Sequence, residues 1–251
     1  MTYDQSEFDI RCEWGEMAVE VLAPVSDAVI IVDIMSFSTA VTIAVARGAV
    51  VFPYRWKDNS RVEYAKTKGA VLAGPRGKAQ YSLSPLSLMA LPIGARIVLP
   101  SPNGSTLSLS TGEIPTFAGC LRNAKTVARA AQARGPRISV IACGERWHDD
   151  QSLRPAYEDL LGAGAIISFL EGRRSPEADG ALAVYEKSKS DIFHMLTWCS
   201  SGRELIEMGF GEDIQSIAAL NCEDVAPILR QGAYVEAEQH FEEGPGKSGL
   251  I

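Results

Sequence analysis

The sequence has no CxxC pair, and its five cysteines (Cys12, Cys120, Cys143, Cys199 and Cys222) are an odd number. That argues against a thiolate zinc site or a disulfide framework and reads as reduced core thiols. Histidine is scarce: His148, His194 and His240 are too scattered to suggest an imidazole site. Positive charge is in deficit, with 24 Lys and Arg against 31 Asp and Glu and a net charge of −7. No general nucleic-acid footprint is therefore expected. No apolar run approaches the ~18 residues of a membrane span. The opening MTYDQSEFDI also lacks the apolar core of a signal peptide. These absences predict a cytoplasmic enzyme or binding protein with neither a nucleic-acid nor a membrane partner. Three phosphate-handling templates are missing as well. There is no Walker A loop. Met35 stands where a haloacid-dehalogenase site needs a second Asp, and Asp149 where Cys143 would need Arg for Cys-x5-Arg.

What is present is ordinary globular composition, 46% hydrophobic and 22% charged over 251 residues, enough to bury a core without staples. Short β-branched runs alternate with segments of helical period. AVIIVDI, AVVFPY, AVLAG, GARIVLP, PTFAG and RISVIACG read as strands. FSTAVTIAVARG, SRVEYAKTKG, NAKTVARAAQARG and PAYEDLLGAGAIISFLEG read as helices, the last with Pro155 in its first turn. Ser60 with Glu63, and Ser201 with Glu204, have capping-box spacing. Strand–helix alternation with short connections predicts an α/β fold with a largely parallel sheet. Its strands are buried on both faces, hence continuous apolar runs. After Gly172 three helical segments follow, and ALNCEDVAPILRQGAYVEAE returns a strand or two. One compact domain over 1–240 is expected, with two intertwined halves (roughly 1–135 and 136–240) allowed and a flexible tail at 241–251.

In such sheets ligands collect where strands end. Asp33, Ser36, Ser38 and Thr39 follow the first predicted strand, and Arg76 follows AVLAG. Asn103, Gly104 and Ser105 follow GARIVLP, Arg122 and Asn123 follow PTFAG, and Glu145 and Arg146 follow RISVIACG. Hydroxyls, amides and N–H groups at helix starts suit an anion. Asp33 cannot face a bare anion favourably, and a divalent cation between them, Mg²⁺ by its taste for hard oxygens, removes the repulsion. Each residue also has a local use: Asp33 as a turn cap, Ser36, Ser38 and Thr39 as N-caps, Asn103-Gly104 as a hairpin turn, Glu158 and Asp159 as first-turn acids.

The ordered series VDIMSFSTA, LSP (Leu83 to Pro85, enclosing Ser84), PNGS, LRNA, EDLLGAGAI and SGRELIEMGFGEDI resembles the 2-phosphosulfolactate phosphatase family. The resemblance implies a layered α/β/α fold with a mostly parallel or mixed sheet of two similar units. It implies Mg²⁺-dependent hydrolysis of 2-phospho-3-sulfolactate, a step toward coenzyme M, and matches Asp33, Asn103, Gly104, Glu158 and Asp159 to the family's pattern. Ser36 stands where that pattern has Arg, Pro75 where it has Glu, and Leu83 where it has Asn. Arg76, Arg122 and Arg146 are the candidates to supply the missing guanidinium. The resulting expectation is a Mg²⁺-dependent phosphatase for a small phosphorylated acid. Asp33, Glu158 and Asp159 serve as catalytic and metal residues. Ser36, Ser38, Thr39, Arg76, Ser84, Asn103, Gly104, Ser105, Asn123, Glu145 and Arg146 line the substrate. The alternative is a non-catalytic binder of a small anionic metabolite, and a homodimer is allowed.

Overall fold

The computed structural model describes residues 2–55 and 58–237; the expected tail at 241–251 lies outside them. The elements run β1 (Ile10–Trp14), α1 (Gly15–Leu22), β2 (Ala28–Val32), α2 (Phe37–Ala46), β3 (Val50–Tyr54), α3 (Ser60–Thr67), β4 (Val71–Leu72), α4 (Pro85–Leu88), β5 (Arg96–Pro100), α5 (Gly104–Ser108), β6 (Thr116–Gly119), α6 (Ala124–Gln132) and β7 (Ile138–Ala142). There follow β8 (Glu145–Arg146), β9 (Leu153–Arg154), α7 (Tyr157–Ile167), α8 (Pro176–Ser188), α9 (Ile192–Trp198), α10 (Ser200–Glu207), α11 (Asp213–Ile217), β10 (Pro227–Arg230) and β11 (Ala233–Glu236). Nine strands form one mixed sheet in the order β1-β7-β2-β6-β10-β11-β3-β5-β4, and β8 and β9 pair separately. The groups β1-β7-β2-β6 and β3-β5-β4 are parallel internally, and the antiparallel hairpin β10-β11 sits between them.

The period-2 alternation of strands assigns each side chain to a layer. In β2, Ile30 and Val32 face a core shared with α6, α7 and α8, while Val29 and Ile31 face one shared with α1. In β3 and β5, Val51, Ile97 and Leu99 pack under α2, and Phe52 and Val98 under α3. Both faces of the sheet are thus covered, giving the layered α/β/α arrangement. Among the described residues no helix is long and apolar enough to cross a membrane.

Both capping boxes are corrected. Ser60 is already the first residue of α3, and its N–H is held at 3.0 Å by the Asp58 carboxylate. Helix α10 begins one residue before Ser201; the Cys199 Sγ accepts the Gly202 N–H, and Glu204 pairs with Arg154 instead. The spacing fits a cap, but the chain turns into the helix one or two residues earlier. Pro155 likewise lies two residues ahead of α7. Strand β1 had no clear pattern because IRCEW carries two charges. Arg11 is nevertheless 1% exposed, its guanidinium donating to the carbonyls of Phe8 (2.9 Å) and Val25 (2.8 Å), the satisfaction a buried charge requires.

Candidate active site

Strand β2 delivers the chain to Asp33, which is 7% exposed. One carboxylate oxygen accepts the Phe37 N–H at the start of α2 (3.1 Å), and the other accepts the Gly104 N–H at the start of α5 (3.0 Å). Asp33 therefore caps its own turn and also ties two helix starts together across the sheet. The hydroxyls beside it secure that turn. Ser38 Oγ accepts the Asp33 N–H (2.8 Å) and donates to the Ile31 carbonyl (3.1 Å). Thr39 donates to the Ile34 carbonyl (2.9 Å), and Ser105 to that of Leu99 (3.0 Å). Ser38, Thr39 and Ser105 have no exposed surface. In this structure their hydroxyls hold main chain.

The two acids at the start of α7 arrive from the far side. Asp159 accepts the Ile34 N–H and the Gly144 N–H, each at 2.9 Å, and so joins the turn after β2 to the end of β7. Glu158 is 2% exposed and its charge acts on the neighbouring Cys199 thiol. Glu145 is half-buried and accepts the Asn103 side-chain amide at 3.0 Å. Four carboxyl groups thus crowd one turn. Burial lifts Asp33 to about 6, opposed by its two N–H donors and reinforced by the charge of Glu158. Burial, then the charges of Asp33 and Glu158, pushes Glu145 up to about 8. The same causes raise Asp159 well above the usual carboxylate range.

These shifts make stability depend on pH. Folded Asp33 and Glu145 hold protons that the unfolded chain has lost, so the native state binds more protons and stability falls as pH rises. The loss runs from the ordinary carboxylate range up through about 8, where Glu145 is half ionised. Thermal melts of the metal-free protein are expected to lose stability between pH 6 and about 8, and Glu145→Gln to flatten that limb. Stability that rises over this interval contradicts the reading.

Two guanidiniums act on the cluster: the charge of Arg154 opposes the rise of Glu145, and Arg76 approaches from the side of Ser36. Arg76 donates to Ser36 Oγ (2.6 Å) and the Leu83 carbonyl (3.2 Å), and pairs with Asp213 (3.2 Å). Its charge acts on Asp33. Asp213 is 2% exposed and also accepts the Ser84 hydroxyl (2.6 Å). Of the three candidate cations, Arg76 alone supplies a guanidinium where Ser36 lacks one. Arg122 is occupied by Ser216 and by Glu223 (2.7 Å). Arg146 pairs with Glu16 in a half-exposed position. Asn123 lies in a buried turn, accepting the Cys120 N–H (2.9 Å) and donating to the carbonyls of Ala118 and Val225. Asp213 was missed as a site residue although it lies in the SGRELIEMGFGEDI segment, because its partnership with Arg76 spans 137 positions of sequence.

Among the described residues, no three His, Cys, Asp or Glu side chains already converge as metal ligands. The donor chemistry nevertheless fits a hard divalent cation. All four acids offer oxygen, and burial, reinforced by neighbouring carboxylate charge, raises the affinity of Asp33, Glu145 and Asp159 for protons. Mg²⁺ requires only one or two carboxylates and completes its shell with water.

A family model described as 2-phosphosulpholactate phosphatase matches residues 19–232, which include every site residue named above except Glu16. The chain is 31% identical over 226 residues to the "Probable 2-phosphosulfolactate phosphatase" of Carboxydothermus hydrogenoformans, covering 86% of this chain and 88% of that protein. It is 29% identical over 208 residues to the 2-phosphosulfolactate phosphatase of Methanothermobacter thermautotrophicus, covering 81% and 87%.

Proposed function

The chain belongs to the 2-phosphosulfolactate phosphatase family, and from that premise we propose that it uses Mg²⁺ to hydrolyse 2-phosphosulfolactate or a closely related small phosphorylated acid. The observation that carries this reading is the crowding of Asp33, Glu145, Glu158 and Asp159 around one turn, with the Arg76 guanidinium beside Ser36. Asp33 and Glu158, with Glu145 next to them, would hold the ion. When bound, Mg²⁺ supplies polarisation of a phosphoryl oxygen and a more acidic water. Glu158, which accepts no main-chain N–H among the described residues, orients the attacking water and takes its proton. Arg76 balances charge on the phosphate. Asp159 fixes the main chain at Ile34 and Gly144 and acts through that geometry. We place the protein in the cytoplasm, which suits its five free cysteines.

The reading is tested by measuring phosphate release with Mg²⁺ from 2-phosphosulfolactate, 2-phospholactate and p-nitrophenyl phosphate. The phosphorylated acids are expected to exceed p-nitrophenyl phosphate, which has no second acid group, in kcat/KM by about tenfold or more, the scale of one well-placed polar contact. No release above background, or preference for p-nitrophenyl phosphate, overturns it.

A further inference from the structure

A cavity of 310 Å³ adjoins the site on its Arg76 side, between the chain beyond β4 at Gly74, the end of β5 at Pro100, Leu83 and Met208. It is lined by two guanidiniums, Arg76 and Arg61 of α3. Arg61 has a buried Nε with no hydrogen-bond partner among the described residues, and forms no ion pair among them. No carboxylate is among the described lining residues. Asp213 compensates Arg76, but Arg61 has no acid partner among the described residues, and in a chain of net charge −7 an uncompensated guanidinium needs an explanation. A buried N–H left without an acceptor is costly, and an incoming anion removes that cost. Guanidiniums also grip planar or tetrahedral acid groups in two-pronged fashion.

Arg76 belongs to both places. Its Nη2 donates to Ser36 beside the carboxylate cluster and to the carbonyl of Leu83, a residue that lines the cavity as Arg76 does. A ligand with a phosphate at the cluster and an acid group a few bonds away spans the two. Resting on the phosphatase reading, we infer that this cavity receives the second acidic group of the substrate, a carboxylate or sulfonate, and that Arg61 determines specificity for it.

Isothermal titration in Mg²⁺ tests this with four probes: 3-sulfolactate, lactate, 2-hydroxyethanesulfonate and inorganic phosphate. For Arg61→Gln the affinity for 3-sulfolactate relative to phosphate is expected to fall about tenfold or more, the loss of a charge-assisted contact. Arg61→Lys, which keeps the charge but not the fork, recovers part of it. Whichever of lactate and 2-hydroxyethanesulfonate loses affinity identifies the group that Arg61 reads. Melting curves establish that the variants fold. If wild type binds 3-sulfolactate through Arg61 but hydrolyses no ester, the phosphatase reading fails and the subsite stands. If esters are hydrolysed and Arg61→Gln keeps the same relative affinity for 3-sulfolactate, or wild type does not bind it, the subsite is overturned while the phosphatase reading stands.

Discussion

Asp33→Ala is expected to reduce phosphate release by roughly 10³-fold, the upper range for removing one preorganised electrostatic contact. The loss has two physical parts. The carboxylate leaves the group of acids that would hold Mg²⁺, and two buried N–H groups, of Phe37 and Gly104, lose their acceptor. Each charge-assisted bond is worth about 1.5–3 kcal/mol net. Against that, removing Asp33 relieves repulsion with Glu158 and Glu145, so the expected loss of stability is smaller than the two bonds together, about 2 kcal/mol. Asp33→Asn separates the parts. Its amide oxygen serves one N–H while its NH₂ opposes the other, so the fold is largely kept and the activity is lost. Equal turnover in Asp33→Asn and wild type contradicts this account; chemical denaturation alongside phosphate release measures both effects.

Gly104→Ala is expected to be the most damaging change of a single methyl group in the site. An added Cβ lies 2.2 Å from Phe37 Cδ1, 2.6 Å from Phe37 Cγ and 2.8 Å from Asp33 Oδ2. Phe37 has no exposed surface and packs edge-on against Tyr234, so its ring has no open side to swing toward. Overpacking of this kind costs about 3 kcal/mol. Either the ring or the carboxylate must move, so the clamp opens and activity falls with stability. Gly180 in α8 is the contrasting case. Nothing lies within 4 Å of its Cβ position, and Gly180→Ala is expected to stabilise the helix by about 0.5–1 kcal/mol. Denaturation midpoints of the two variants move in opposite directions; parallel shifts contradict the packing argument.

The strands that could be read from sequence are those buried on both faces. The runs AVIIV, RIVLP and ISVIA are almost uninterrupted and appear as β2, β5 and β7. Strand β1 was hidden by Arg11 and Glu13, since a period-based reading assigns charges to solvent and cannot foresee that Phe8 and Val25 receive the guanidinium. The site behaves the same way. Asp33, Asn103, Gly104 and Glu145 were visible because each directly follows a strand. What each one holds was not visible, because the partners are set by the tertiary fold. Asp159 reaches Ile34 across 125 residues and Asp33 reaches Gly104 across 71. Local chemistry nominated Ser38, Thr39 and Ser105 as anion ligands; that their hydroxyls also hold the carbonyls of Ile31, Ile34 and Leu99 could not be read from it. Ser36, standing where a family arginine is expected, becomes intelligible only with the Arg76 guanidinium 2.6 Å from its hydroxyl.

The most direct measurement is the rate of phosphate release from 2-phosphosulfolactate by the wild-type protein, followed in Mg²⁺ and then after EDTA and back-addition of Mg²⁺. A site of crowded carboxylates beside the Arg76 guanidinium predicts turnover in Mg²⁺, collapse to background in EDTA, and recovery on back-addition. Turnover that persists undiminished in EDTA, or no turnover in Mg²⁺, contradicts it.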